Sequence, residues 1–584
     1  MAAQIIIPGF SASDKVPGFF GQTLTGQGPQ SAQSVPLVLL VAGIMGASGT
    51  ANAGQSYPIT STSDADTYFG AGSQAARMCY AALKNPGAIV YGIGLSQPSG
   101  SASTAIINVA GTWTTVGTIT YRINGEVRTV SIATTDTPQT VAAAIANDIN
   151  NQIRWPVTAA SAQLGSTATY QVILTHKTLG AGGNAQLLYV DATQVPSGCL
   201  ISDITSYLGT GTPATWLATT AYPIGAMTQP TTANGYFYKA TTGGTAGASQ
   251  PTWPTTVGGT VTDGSVTWTC AGAILTGGVI PFAFGTGVET AAAAIAATAT
   301  QQYDRIALGH FDATNAALWK TQVDANAGPT FNILEQVVIA TNGTEAAAQS
   351  LSQTTLNDTR FQVLNEVNCE THPSEIAASF AAQRETTEGQ NWCAGYDNVP
   401  ILGVSPQSQP LDSPSHASQI VALNNGVTPI QTLNGTAVVV RSITSHSLNG
   451  TTPDYSCLDT NQITVPDQVR QDIRLYWTSY YKPQNPVVQD NPPTSALGQL
   501  GAFPPSGVAT PNLWNAAVYQ KLKNYEKGVG FPYPQIVNVD QNLPNSVYSY
   551  SQNCIVSAIP VIPINIQHQI GVSVRGQINA PPQV

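Results

Sequence analysis

Residues 35–50 read VPLVLLVAGIMGASGT, a run with no polar side chain until Ser48, broken by glycines at 43, 46 and 49. Such an apolar run breaking into glycines reads as a strand that opens into a loop. The strand is predicted over 37–42. Downstream, DADTYFGAGSQAARMCYAALKN predicts a helical stretch ending before Pro86, and AIVYGIGL a second strand.

The same glycines raise the question of a nucleotide. A dinucleotide loop needs G-x-G-x-x-G, and the spacing here is G-x-x-G-x-x-G. A P-loop needs Lys and Ser/Thr after its last glycine, but Gly49 precedes Thr50, Ala51, Asn52 and Ala53. Asp64 and Asp66 lie at about the distance of a ribose-binding acid, yet two aspartates at the head of a helix are expected to cap it. An oxidoreductase using residues 35–50 is the weaker reading.

A second unit begins near Ala105. GTITYRINGEVRTVSIA predicts a hairpin turning at Asn124-Gly125. Thr137 and Pro138 occupy N-cap and N1 positions of a helix whose Val141, Ile145 and Ile149 recur every fourth residue. YQVILTHKTLGAGGN returns as a strand and glycine-rich loop. Residues 213–275 change character: Trp216, Tyr222, Tyr236, Tyr238, Trp253 and Trp268 crowd a segment otherwise made of Thr, Gly and Pro, which predicts a small separate β module. From GVIPFAFG onward, strands and Ala-rich helices alternate, with helices expected near 289–302, 312–325, 344–355 and 373–388. Beyond Pro400 come strands such as TAVVVRSITSH, a helix near 466–480 and a strand-like tail.

The expected fold class is thus α/β and α+β, multidomain: a mixed-sheet α/β core, a peripheral α+β domain and a small all-β insertion module. The expected boundaries are an extended arm at 1–34, the start of the α/β core at 35–104, the peripheral domain at 105–212 and the β module at 213–275. A further α/β domain is expected at 276–400, a C-terminal α+β domain at 401–550 and a strand or arm at 551–584. A chain of 584 residues exceeds what one core supports, in keeping with several domains.

Charge bears on what such domains do. Lys and Arg number 20 and Asp and Glu 30, together 9% of the chain, where about a quarter is usual. A surface poor in ions costs less to desolvate, which suits burial against copies of itself. The formal net charge of -10 and the lack of a basic stripe argue against direct nucleic-acid binding. MAAQIIIPGFSASDK lacks the basic start and long apolar run of a signal peptide, and no stretch predicts membrane insertion, so a cytoplasmic site of assembly is expected. Seven scattered cysteines without a C-x-x-C pair read as reduced core thiols, and six isolated histidines give no metal spacing. There is no G-x-S-x-G or H-E-x-x-H, and Glu366 with Glu370 reads as solvated rather than as a glycosidase pair. No enzyme and no cofactor is expected. The six aromatics of 213–275 could form a sugar-stacking platform, making the chain a carbohydrate-binding virion surface protein. A module of this size needs most of its large rings for its own core, and core is the favoured reading.

Taken in order, LVAGIMGASGTANAGQSYPITSTSDADTYFGAGSQAARMCYAALKN, GTITYRINGEVRTVSIATTDTPQTVAAAIANDIN and LTHKTLGAGGN resemble the N-terminal half of Mu-like contractile tail sheath proteins. NNGVTPI, VVVRSITSHS and YSCLDTNQITVPDQVRQDIRLYW resemble the C-terminal half of that family. The module at 213–275 departs from the plain sheath pattern and is similar to a β insert of assorted phage structural proteins. The resemblance implies a bacteriophage structural protein, a virion tail component assembled in the host bacterial cytoplasm. Its partners would be other copies of itself in a helical lattice, a tail tube protein, and baseplate and tail terminator proteins. Such a sleeve contracts to drive the tube through the host envelope, hydrolysing no nucleotide. Terminal arms of family members add strands to neighbouring subunits. Candidate arm residues here are Ile5, Ile6 and Ile7, and the alternating Ile564, Ile566, Ile570, Val572 and Val574 of INIQHQIGVSVR, with an ordinary strand of the subunit's own sheet as the plainer alternative.

Overall fold

In the computed structural model the described residues are 37–164, 168–202, 214–232, 234–256, 258–273, 277–299, 301–406, 413–484, 487–491 and 507–565. They form a multidomain mixed α/β structure in two compact units, residues 36–389 with 398–458, and residues 390–397 with the chain from 459 onward.

A nine-stranded sheet organises the first unit. Six parallel strands form its body in the order Val90–Leu95, Leu39–Ile44, Arg305–Leu308, Gln336–Thr341, Phe361–Asn365 and Val427–Leu433. Antiparallel strands close its edges: Ser56–Ile59 on one side, Thr436–Val439 and then Val399–Pro400 on the other. Leu39–Ile44 and Gln336–Thr341 are buried at every position, as strands covered on both faces must be. Alternation sorts the faces. Ile306, Val337, Ile339 and Val363 join Trp319 and Val323 of helix Ala313–Ala327 in an apolar core. Arg305, Gln336 and Gln362 turn the other way, toward helix Pro373–Glu388, where Glu388 receives Arg305 and Arg384 together.

The helix expected over 64–85 is two helices, Thr62–Phe69 and Gln74–Leu83. Gly70 and Gly72 both take positive φ, and a Cβ on Gly72 would lie 2.2 Å from the Trp155 carbonyl oxygen, so the break lets a neighbouring segment approach. Asp64 caps the first of them, completing a capping box with Ser61.

The peripheral domain pairs two antiparallel four-stranded sheets with helix Pro138–Asn151. Asn124 and Gly125 both have positive φ, the geometry of the expected two-residue hairpin turn. Strand Gly277–Pro281, expected to open the next α/β segment, pairs instead with Leu187–Asp191 and completes this domain. The β module follows, a five-stranded sheet ordered Ala214–Thr215, Met227–Gln229, Tyr236–Thr242, Val266–Ala273 and Thr260–Asp263.

The boundary expected at 400 falls elsewhere. Strands between 399 and 439 hydrogen-bond into the nine-stranded sheet, and the second unit takes up the chain at 459. In that unit helix Asn461–Tyr476 begins five residues before Pro466, which sits inside it, and packs with helix Pro511–Glu526 around Val469, Trp514 and Leu522. The hairpin Asn545–Ser549 with Cys554–Ala558 takes in the start of the stretch expected to be an arm.

Candidate functional site

Along the parallel strands the chain order reverses between Leu39–Ile44 and Arg305–Leu308, and the crevice at the carboxyl ends of such a pair is where α/β sheets ordinarily hold ligands. Here the chain fills that crevice itself. Gln74, buried at the head of its helix, accepts the Ile44 N–H at 2.9 Å and donates to the Gly309 carbonyl at 2.8 Å, spanning the two strand ends. A Cβ on Gly309 would lie 2.9 Å from both Gln74 and Met78.

The glycine loop is equally committed. A phosphate cradle offers free backbone N–H groups. Those of Met45, Gly46, Gly49, Thr50 and Ala51 donate to the carbonyls of Leu95, Phe69, Gly46, Thr67 and Tyr68. A Cβ on Gly49 would lie 2.6 Å from the Tyr68 oxygen, so that glycine serves close packing against the end of helix Thr62–Phe69. These five amides of the glycine loop are spent on the protein's own carbonyls.

A dense polar cluster lies between the peripheral domain and the sheet's helices. Arg77, in the middle of an Ala-rich helix, grips Glu375 with Nε and Nη2, each at 2.9 Å, and reaches Glu126 of the hairpin at 2.9 Å. The Asn124 amide, presented by its turn, donates to Glu375 at 2.6 Å, while its oxygen accepts from Gln186 and from the His372 backbone. Arg122 forks onto Glu370 at 3.1 and 2.7 Å. His372 caps helix Pro373–Glu388: Nδ1 accepts from the Ser374 N–H, and Nε2 faces the Gly182 carbonyl at 3.1 Å. A carbonyl can only accept, so the proton sits on Nε2 and the ring is neutral. Burial lowers the His372 pKa to about 4 and that of His176, whose ring lies 6.2 Å away, to about 3. A void of about 10 Å³ beside this cluster has room for one water and no metabolite.

Glu366 is buried rather than solvated as expected, and burial raises its pKa to about 8. Glu370 is buried and paired with Arg122. Among the described residues no group of three His, Cys, Asp or Glu is placed to hold a metal, and no helix is long and apolar enough to cross a membrane.

In the β module Trp216, Tyr238 and Trp268 are buried, which removes them from any surface platform. Tyr222 meets Trp268 edge-on at 4.9 Å and Trp253 lies 4.2 Å from Tyr238, so the rings spend their faces on each other, with Tyr236 packed alongside. Asp263 receives both the Trp216 and Trp268 indole N–H groups, at 2.7 and 3.0 Å. Of the arm residues, Ile5, Ile6, Ile7, Ile566, Ile570, Val572 and Val574 lie outside the described residues. Ile564 packs on the core of its own unit and donates its N–H to the Gln535 carbonyl, beside an Ile536–Pro563 bridge.

Sequence reasoning missed the charged seam altogether. Its one local signal is a lone Arg77 among AARMCYAAL, and Glu375 that answers it is 298 residues away.

No protein-family model and no curated protein sequence matches the chain. Among solved structures it is similar to a sheath tail protein from Desulfitobacterium hafniense, at 14% identity over 93% of this chain and 100% of that one, TM-score 0.38. A sheath tail protein from Listeria innocua is 10% identical over 92% and 96%, TM-score 0.38. The helical sheath of the anti-feeding prophage in its contracted state is 14% identical over 47% and 69%, TM-score 0.30.

Proposed function

We propose that the chain is a structural subunit of a contractile tail sheath of the Mu-like kind, polymerising as a helical sleeve around a tail tube. The observation that carries this reading is the plugged crevice at Gln74, within a chain whose segments resemble that family in order. The place where an α/β sheet would hold a substrate is taken by a side chain, and the surface is poor in ions, as suits contact with further copies. Contraction would be a cooperative repacking of subunit contacts, driving the tube through a host envelope and delivering the genome of a myovirus. Baseplate and tail terminator proteins would bound the sleeve, which belongs to the virion tail and assembles in the host cytoplasm. In this reading the β module projects outward, and the segments at Ile5–Ile7 and beyond Asn565 add strands to neighbouring subunits. Against the carbohydrate-binding alternative stands the burial of Trp216, Tyr238 and Trp268 in the module's own core.

Negative-stain microscopy of the purified protein tests the reading: striated tubes or polysheath are expected, and compact particles alone under all assembly conditions would sink it. Removing residues 1–15, or everything after Asn565, should leave subunits that melt cooperatively but form no tubes. The second cut falls after Asn565 because Ile562 and Ile564 pair with residues 535–537. Normal tubes from either truncation would remove that segment from the joint.

A further inference from the structure

Among the described residues ten non-glycine positions have positive φ, and eight of them are asparagine, the residue that tolerates this region best after glycine. Phe284, at φ 69°, is not. A phenylalanine there holds its backbone against preference. Ordinarily a packed ring offsets such strain, yet Phe284 is 71% exposed, and Val288 on the same loop is 56% exposed.

The loop is not slack. Ser101 Oγ donates to the Phe284 carbonyl at 2.6 Å, and Ser101 and Thr286 exchange backbone and side-chain bonds. Asn184 brackets Gly285 from both sides, at 3.0 and 2.9 Å. The Gly287 carbonyl accepts from Ala181 at 2.7 Å, and Ala283 bridges to Thr104. A Cβ on Gly285 would lie 2.5 Å from the Gly180 oxygen. The geometry is thus set by three converging segments, 96–101, 180–184 and 283–288, and none of them contains a charged residue.

We propose that Phe284 is an anchor by which one subunit docks on a second copy of this chain, an inference that rests on the self-assembly reading above. A rigid, exposed aromatic with an uncharged rim is the form of an interface hot spot, since little ordering entropy is lost on docking. The uncharged rim selects the partner: a surface with few ions meets it without stranding a charge, and this chain, 9% charged, is such a surface.

The test uses Phe284→Asn and Phe284→Gly, which remove the ring and relieve the backbone. Subunit melting and the concentration needed for tube formation are measured on the full chain. The inference expects both variants to melt at or above the wild-type temperature while that concentration rises about tenfold or more. Phe284→Asn forming tubes at wild-type concentration would overturn the anchor and leave the sheath reading standing. A lowered melting temperature in both variants would show that the ring serves the fold, which also overturns it. If the wild type forms no tubes, both fall.

Discussion

Where the β module meets the peripheral domain, Phe237 and Ala271 press on Ala110, with Leu200 and Met227 alongside, and all five are apolar. Where the peripheral domain meets the sheet's helices, Arg77, Glu375, Glu126, Arg122 and Glu370 carry the contact, most of them buried. The first joint is thin and tolerant, because small apolar faces need only rough complementarity. The second demands that every partner be present, because removing one ion strands another in a poorly solvated place. A buried charged joint adds little net stability but fixes one arrangement, so it holds the peripheral domain in register.

The largest effect separating the two joints should come from Arg77→Ala, which leaves Glu375 buried and unpaired. A loss of about 3–5 kcal/mol in denaturant unfolding is expected, and a loss within 1 kcal/mol would mean that water reaches the seam. In the module Asp263→Ala strands two indole donors and the Gly247 N–H, and should cost about 3 kcal/mol. Hydrogen exchange would locate it: amides of 214–273 lose protection and those of the seam do not.

Acid acts on the seam next. The folded protein keeps His372 neutral down to about pH 4, whereas the unfolded chain takes up a proton near 6.5. The stability involved is fully present above pH 6.5 and is lost progressively as pH falls toward 4, about 2 kcal/mol of it by pH 5. Asparagine can cap the helix without titrating, so His372→Asn should flatten the acid limb of a stability-against-pH curve, His176 contributing what remains. An unchanged limb would transfer the acid sensitivity to the carboxylates. The smallest effect belongs to replacing 214–273 by a short Gly/Ser linker, after which melting and tube formation should match the full chain. Failure to polymerise would make the module part of the lattice.

Local chemistry was legible in the sequence where it was settled locally. Thr137-Pro138 starts its helix, Asn124-Gly125 turns its hairpin, and the aromatics of 213–275 form the core of one small sheet. What escaped depends on distant parts of the chain. Gly70 and Gly72 split a helix because Trp155 needs the space, and Gly277–Pro281 joins the sheet of residues nearly 100 positions earlier. The helix expected near 466–480 extends back to Asn461, with Pro466 inside it. The candidate site was the least legible part. Nothing local announced that Gln74 would bridge the ends of two strands.

That closure has a consequence for conditions far from those inside a cell. A crevice held together by a bound metabolite loosens on dilution, because the stabilisation a ligand gives depends on its free concentration. The amide that bridges Ile44 and Gly309 is tethered to the backbone, so its presence there does not depend on the concentration of a free ligand. Dialysis cannot empty it and starvation cannot deplete it, and the central layer needs no supply from its surroundings to stay shut.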